Sequence, residues 1–232
     1  MQKGQLSALD FEVLVHPLLG MTVSLARKSY GTTIYLELGR LRPPSTPYLC
    51  YGDGDVTIGV DWDWRVEEGD AILYGSSDTT PVIKDGIESL TGTVIESLAI
   101  TGEVPELSVG FSNGQRLQSM VMTSGDPQWS IRLPNGAWLF AQDGMLVVGD
   151  GSNELSAEER ATFDFAKATA RRWGAPVAEP KKGTCVNCRS YVRLNGEGHL
   201  LDFGVCTDSS SPFDGRAVRG SSGCPMFRPW PA

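Results

Sequence analysis

Residues 129–148 read Trp129-Ser130-Ile131-Arg132-Leu133-Pro134-Asn135-Gly136-Ala137-Trp138-Leu139-Phe140-Ala141-Gln142-Asp143-Gly144-Met145-Leu146-Val147-Val148. Three short apolar runs are separated by Asn135-Gly136 and Asp143-Gly144, and these dipeptides supply the positive φ angles that two-residue hairpins demand. Upstream, Asn113-Gly114 divides Leu107-Ser108-Val109-Gly110-Phe111 from Leu117-Gln118-Ser119-Met120-Val121 in the same way. Further candidate strands are Thr33–Leu38, Val56–Val60 and Gly92–Leu98, rich in β-branched and aliphatic residues. The pattern predicts a mainly β protein whose residues 1–150 form an antiparallel β-meander, sandwich or open barrel. No long helix and no fixed-period repeat is expected in that part.

The first helical signal comes later. Ser156-Ala157-Glu158-Glu159 has the form of a capping box, and Phe163, Ala166, Ala170 and Trp173 follow on one helical face. Arg171 and Arg172 suit the negative end of a helix, and Gly174 stops it. Residues 151–182 therefore read as one amphipathic helix and a linker, the latter beginning at Ala175-Pro176.

The last segment, residues 183–232, holds four of the five cysteines: Cys185, Cys188, Cys206 and Cys224, spaced C-x2-C-x17-C-x17-C. So short a segment with few large aliphatic side chains buries too little apolar area to offset its chain entropy without a cross-link or a metal. If the chain is cytoplasmic its thiols stay reduced, which favours metal over disulfides. Four thiolates suit tetrahedral zinc or a 4Fe-4S cluster, and the expectation is a small, loop-rich module with a structural zinc site, iron-sulfur being the alternative. His199 lies between the second and third of these cysteines and reads as an exposed side chain; Cys50 reads as a small buried hydrophobe.

One knuckle followed by two widely spaced single cysteines resembles the high-potential iron-sulfur protein module. The matching residues are Cys185-Val186-Asn187-Cys188, Gly204-Val205-Cys206 and Gly223-Cys224-Pro225-Met226-Phe227. That resemblance implies an electron-transfer role and an aromatic shell drawn from Tyr191, Phe203, Phe213, Phe227 and Trp230. The same tail is similar to the cysteine-rich end of uncharacterised actinobacterial proteins. The hairpins of residues 90–148 resemble small bacterial β domains of unknown function, some found near toxin-immunity loci, which implies an immunity-type binding role.

The chain has 232 residues, 28 acidic against 20 basic, for a formal charge of -8. The charge is uneven: residues 1–150 hold 9 Lys/Arg against 19 Asp/Glu, and residues 181–232 hold 7 against 4. An acidic surface repels phosphate backbones, so no nucleic-acid partner is expected. No run approaches the roughly 18 to 20 apolar residues that span a bilayer, and the opening residues lack the form of a signal peptide, so no membrane is expected and a cytoplasmic location is.

Seven carboxylates, Asp53, Asp55, Asp61, Asp63, Glu67, Glu68 and Asp70, fall within eighteen residues. On a strand, Asp61-Trp62-Asp63-Trp64 would put both acids on one side and both indoles in the core. Such a face is a candidate recognition surface for a basic protein, because opposite charge steers encounter. Enzymatic signatures are missing: there is no P-loop, no H-E-x-x-H and no nucleophile elbow. His16, before Pro17 in an apolar stretch, reads as packing. The expectation is a non-enzymatic binding protein, immunity-type, with a four-cysteine metal site. The alternatives are an iron-sulfur redox protein and an enzyme sited on the β domain.

Overall fold

A computed structural model describes residues 4–29, 31–43, 52–122, 127–151, 157–173, 178–179, 181–194 and 203–229. The chain divides into two compact units, Met1–Ser152 and Asn153–Ala232.

The first unit is built from two antiparallel sheets. Its strands are β1 (Gly4–Leu6), β2 (Val23–Lys28), β3 (Ile34–Leu38), β4 (Val56–Val60), β5 (Asp63–Glu68), β6 (Ala71–Gly75), β7 (Ile95–Thr101), β8 (Glu106–Phe111), β9 (Gln115–Met120), β10 (Trp129–Arg132), β11 (Trp138–Gln142) and β12 (Met145–Gly149). One sheet runs β1-β12-β11-β10-β4-β3-β2 and the other β6-β5-β9-β8-β7. Neither closes into a barrel.

Alternation along the strands creates a shared core. Ile34, Leu36 and Leu38 of β3 stand opposite Val60, Ile58 and Val56 of β4, and all six are buried. From the other sheet Trp64, Val66, Val109, Phe111 and Leu117 join the same apolar cluster. Full burial of such side chains contributes roughly 1.5–3 kcal/mol each, so this cluster dominates the stability of the unit. Phe11 meets Trp129 edge to face at 5.8 Å, and the Trp129 indole N–H donates to the carbonyl of Pro105, 2.8 Å away, so its polar edge is satisfied inside the core.

The residues between the core-facing positions carry polar side chains. Glu37 is the extreme case, its side chain only 1% exposed, with Arg27 Nη2 3.6 Å from Oε1. Its Oε2 accepts from the Gly54 N–H at 2.9 Å and the Thr57 hydroxyl at 2.7 Å. Arg132 Nη2 in turn donates to Thr57 Oγ1 and to the Gly54 carbonyl. A Cβ at Gly54 would stand 2.5 Å from the Leu38 carbonyl oxygen, so only glycine brings its amide to the carboxylate.

Several expectations are corrected here. Instead of one helix, the fold has two further short ones, α1 (Ala8–Val15) and α2 (Thr80–Glu88), in residues 1–150, where no long helix was expected and neither is long. Of the three turn dipeptides, Asp143-Gly144 alone has both φ values positive, at 51° and 73°. At Asn113-Gly114 and Asn135-Gly136 only the glycine is left-handed, so these are longer loops whose single αL residue reverses the chain. His16 is exposed and caps the C-terminus of α1 instead of packing.

The second unit holds α3 (Ala157–Trp173) and a three-stranded antiparallel sheet, β13 (Tyr191–Arg193), β14 (Phe203–Cys206) and β15 (Ala217–Arg219). Outside these three short strands and one 3-10 turn, the described part of the tail is turns and loops. Trp173 is half exposed and meets Phe203 edge to face at 5.2 Å. Ser156, and the side chains of Glu159, Phe163, Ala166, Ala170 and Arg171, which carried the helix signal, lie outside the described residues, as do Cys50, His199 and Trp230. Among the described residues no helix is long and apolar enough to cross a membrane.

Candidate metal centre

Four separate chain positions in the second unit deliver its cysteines. Cys185 opens a single 3-10 turn, Cys185–Asn187, closed by the Cys188 N–H donating to the Cys185 carbonyl at 2.9 Å. That turn is tied down from across the unit, since Cys185 N–H donates to Ser222 O at 2.8 Å and Val186 N–H to Gly220 O at 2.9 Å. Cys206 ends β14 opposite Tyr191, and Cys224 follows β15. Gly223 lets the first and last of these segments meet, because a Cβ there would stand 2.3 Å from the Gly183 carbonyl oxygen.

All four are free thiols. They line one cavity, together with Gly183, Ser190, Tyr191, Asp208, Ser211, Val218, Gly223, Met226 and Phe227. Cys185, Cys206 and Cys224 are buried and Cys188 is half-buried. Among the described residues no three Cys, His, Asp or Glu side chains are placed so as to hold a metal ion, so the sulfurs face a common cavity without forming a finished coordination shell.

The cavity is hostile to ionised sulfur without a cation. Burial pushes the Cys185 thiol up to about 11, and the neighbouring Cys224, Cys206 and Cys188 push the same way, while Lys181 opposes them. Lys181 is held by its ammonium donating to the Ser221 carbonyl at 2.9 Å. Ser211 lies beside Cys224, Oγ to Sγ 3.6 Å. Its oxygen already accepts the Phe213 N–H at 3.1 Å, which leaves the hydroxyl proton free to point at sulfur. Asp208 also lines the cavity; its buried Oδ2 accepts no hydrogen bond and lies 3.8 Å from Arg228 Nε.

The core of the unit is small and sulfur-rich. Its buried cluster is Cys185, Cys206, Phe213, Val218 and Cys224, with Ala178, Tyr191 and Met226 packed against it. Of the aromatic shell expected from sequence, Tyr191 and Phe227 line the cavity and Phe213 sits in the cluster. Phe203 is buried instead between Trp173 and Arg219. Ser211 and Asp208 gave no signal in the sequence beyond an ordinary polar turn.

The acidic stretch of the first unit is not one face. Asp55 is bound by the Arg40 N–H and by Arg42, which hold its carboxyl below the usual range. Glu67 is clamped between Arg116 and Arg65, with the same effect. The alternation expected of Asp61-Trp62-Asp63-Trp64 is broken, because Trp62 has φ of 59° and is 57% exposed, whereas Trp64 is buried. Asp61, just past the end of β4, takes a hydrogen bond from Thr33 beside β3, whereas Asp63 stands in β5 opposite Met120.

Residues 146–227 match the model of a protein family of unknown function, DUF3027, a stretch that takes in β12, α3 and all four cysteines of the cavity. No curated protein matches the chain. No solved structure matches it.

Proposed function

We propose that this is a non-enzymatic binding protein in which the acidic first unit receives a basic protein partner and the second unit is a thiolate module stabilised by a structural zinc ion. The observation that carries the metal reading is that four reduced cysteines, from positions 39 residues apart at the extremes, line a single cavity. Among the described residues the buried cluster beside the cysteines is Phe213 and Val218, which gives the unit little apolar area. A cation shared by the sulfurs supplies the missing cross-link and offsets the burial, and the neighbouring thiols, that hold Cys185 protonated. Ser211, positioned to donate to Cys224, is the kind of outer contact that steadies a thiolate ligand. The apolar wall of Val218, Met226, Phe227 and Tyr191 favours the second reading, an iron-sulfur cluster shielded from water.

Elemental analysis of anaerobically purified protein decides between them. The zinc reading expects colourless protein with about one zinc per chain. A brown absorption band with stoichiometric iron would replace it by the cluster. Metal-free protein whose four thiols are all alkylated under native conditions would overturn both. Cys206→Ser should cut metal content and loosen the second unit while the first stays folded. Unchanged metal content would remove Cys206 from the ligand set.

A further inference from the structure

We propose that α3 is a self-association surface, along which two copies of the chain pair antiparallel about Phe165. Neither the cysteines nor the acidic first unit takes part, so failure of this pairing would leave the function proposed above untouched.

Along the seventeen residues of α3, Glu158, Phe165 and Arg172 recur at intervals of seven. Seven residues fall about 20° short of two full turns, so the three side chains share one face within an arc of about 40°, each about 10 Å along the axis from the next. All three are exposed, Phe165 by 67%. Ala161 and Ala168, one turn before and one turn after Phe165, are exposed beside them and leave room for a second backbone to approach. The packed side of the helix lies round from this stripe. Thr169 is the one buried side chain among its described residues, and Trp173 meets Phe203 edge to face.

The charges on the stripe identify its occupant. An acid stands two turns before the ring and a base two turns after it, and neither has an ion-pair partner among the described residues. The Arg172 guanidinium donates to Thr169 Oγ1 of its own helix at 3.0 Å. Such a stripe is complementary to itself when reversed. A two-fold axis through Phe165 sets ring against ring and brings Glu158 of each copy to Arg172 of the other, at both ends at once. A parallel pair would set acid against acid and base against base. The aromatic pair supplies attraction, while exposed ion pairs, weak as stabilisers, select the orientation. Two facing helices of under five turns lie at the low end of interface sizes, so the expected Kd is on the order of 10–100 μM.

Glu158 and Arg172 also suit the two ends of the helix dipole, which makes the opposite prediction for exchanging them. Sedimentation equilibrium of the full chain from about 5 to 500 μM separates the two. Wild-type protein should pass reversibly from monomer to dimer. Phe165→Ala should weaken dimerisation by about tenfold or more and leave the helix content of dilute protein unchanged, because the ring is exposed in the monomer. Phe165→Lys gives the same reading if the alanine variant folds poorly. Glu158→Arg and Arg172→Glu should each weaken the dimer by about three- to tenfold, and the two together should recover most of the wild-type affinity. On the dipole reading alone the double variant would be the worst of the three, with the lowest helix content by circular dichroism, and that result would overturn the antiparallel pair. A wild-type chain that stays monomeric throughout, or a dimer indifferent to Phe165→Ala, would overturn the surface altogether.

Discussion

Three acidic side chains of the first unit show how environment decides what a carboxylate contributes. Glu37 is buried, and the Gly54 amide and the Thr57 hydroxyl donate to one oxygen of its carboxyl group while Arg27 lies 3.6 Å from the other. Glu67 is half-buried between Arg116 and Arg65, which hold its carboxyl low. Asp61 is the opposite case. Burial pushes its carboxyl up, and a single hydroxyl from Thr33 only partly offsets that. A carboxyl raised by the fold is better tolerated protonated, so its charge opposes folding above the raised value and the opposition vanishes as the pH falls through it. Asp61→Asn should therefore stabilise the protein at pH 7, by on the order of 0.5 kcal/mol, and have no effect near pH 3. Denaturant titrations at the two pH values check this. An equal shift at both would show that the charge is not the cause, and a loss at pH 7 would show that the charge is compensated.

Among the elements, the strands were largely legible because their signals are local. Val56–Val60 appears with the bounds read from sequence, and the runs on either side of Asp143-Gly144 pair as expected, Gln142 opposite Met145. What was not legible depends on contacts distant in sequence or on one residue's backbone. The pairing of β10 with β4 joins segments about seventy residues apart, and nothing in either run specifies the other. Trp62 defeats the alternation rule because a single left-handed residue resets which way the following side chains point. The two short helices did carry signals that length obscured. Ser7 and Asp10 form a reciprocal cap on α1, and Pro81 near the start of α2 precedes Ile83 and Ile87, four apart and both buried. The four cysteines were legible as a set from their spacing, whereas Asp208, Ser211 and the close approach at Gly223 depend on the folded path of the tail. The Asp143-Gly144 hairpin gives a test at this scale. Asp143 has φ 51°, a conformation that β-branched residues resist, so Asp143→Val should destabilise the first unit by about 1–2 kcal/mol and Asp143→Gly should be neutral or stabilising. Chemical denaturation measures both. Equal stability of the two variants would mean that the turn relaxes to another type.

At the scale of the whole molecule, the two units hold themselves together by different means. The first has a core drawn from both sheets; the second has, among its described residues, a small buried cluster that includes three cysteines. Their stabilities should therefore separate, with the second unit depending on its thiols. In metal-free protein the Cys185 thiol titrates near 11 against an ordinary value of 9.0. A group raised in the folded state contributes stability that is fully present below the unfolded value and is lost as the pH climbs through the folded one. The metal-free second unit should loosen between about pH 9 and pH 11. With zinc bound the sign reverses, because the ion displaces the protons: acid, which returns protons to sulfur, should now release the metal and loosen the unit. Hydrogen exchange of residues 181–229 across pH, with and without a chelator, distinguishes the two states, with the first unit as internal reference. The metal reading requires that the chelator convert acid lability into alkaline lability in the second unit alone. A profile indifferent to the chelator would mean that the thiols hold this unit as packed hydrophobes, with no ion between them.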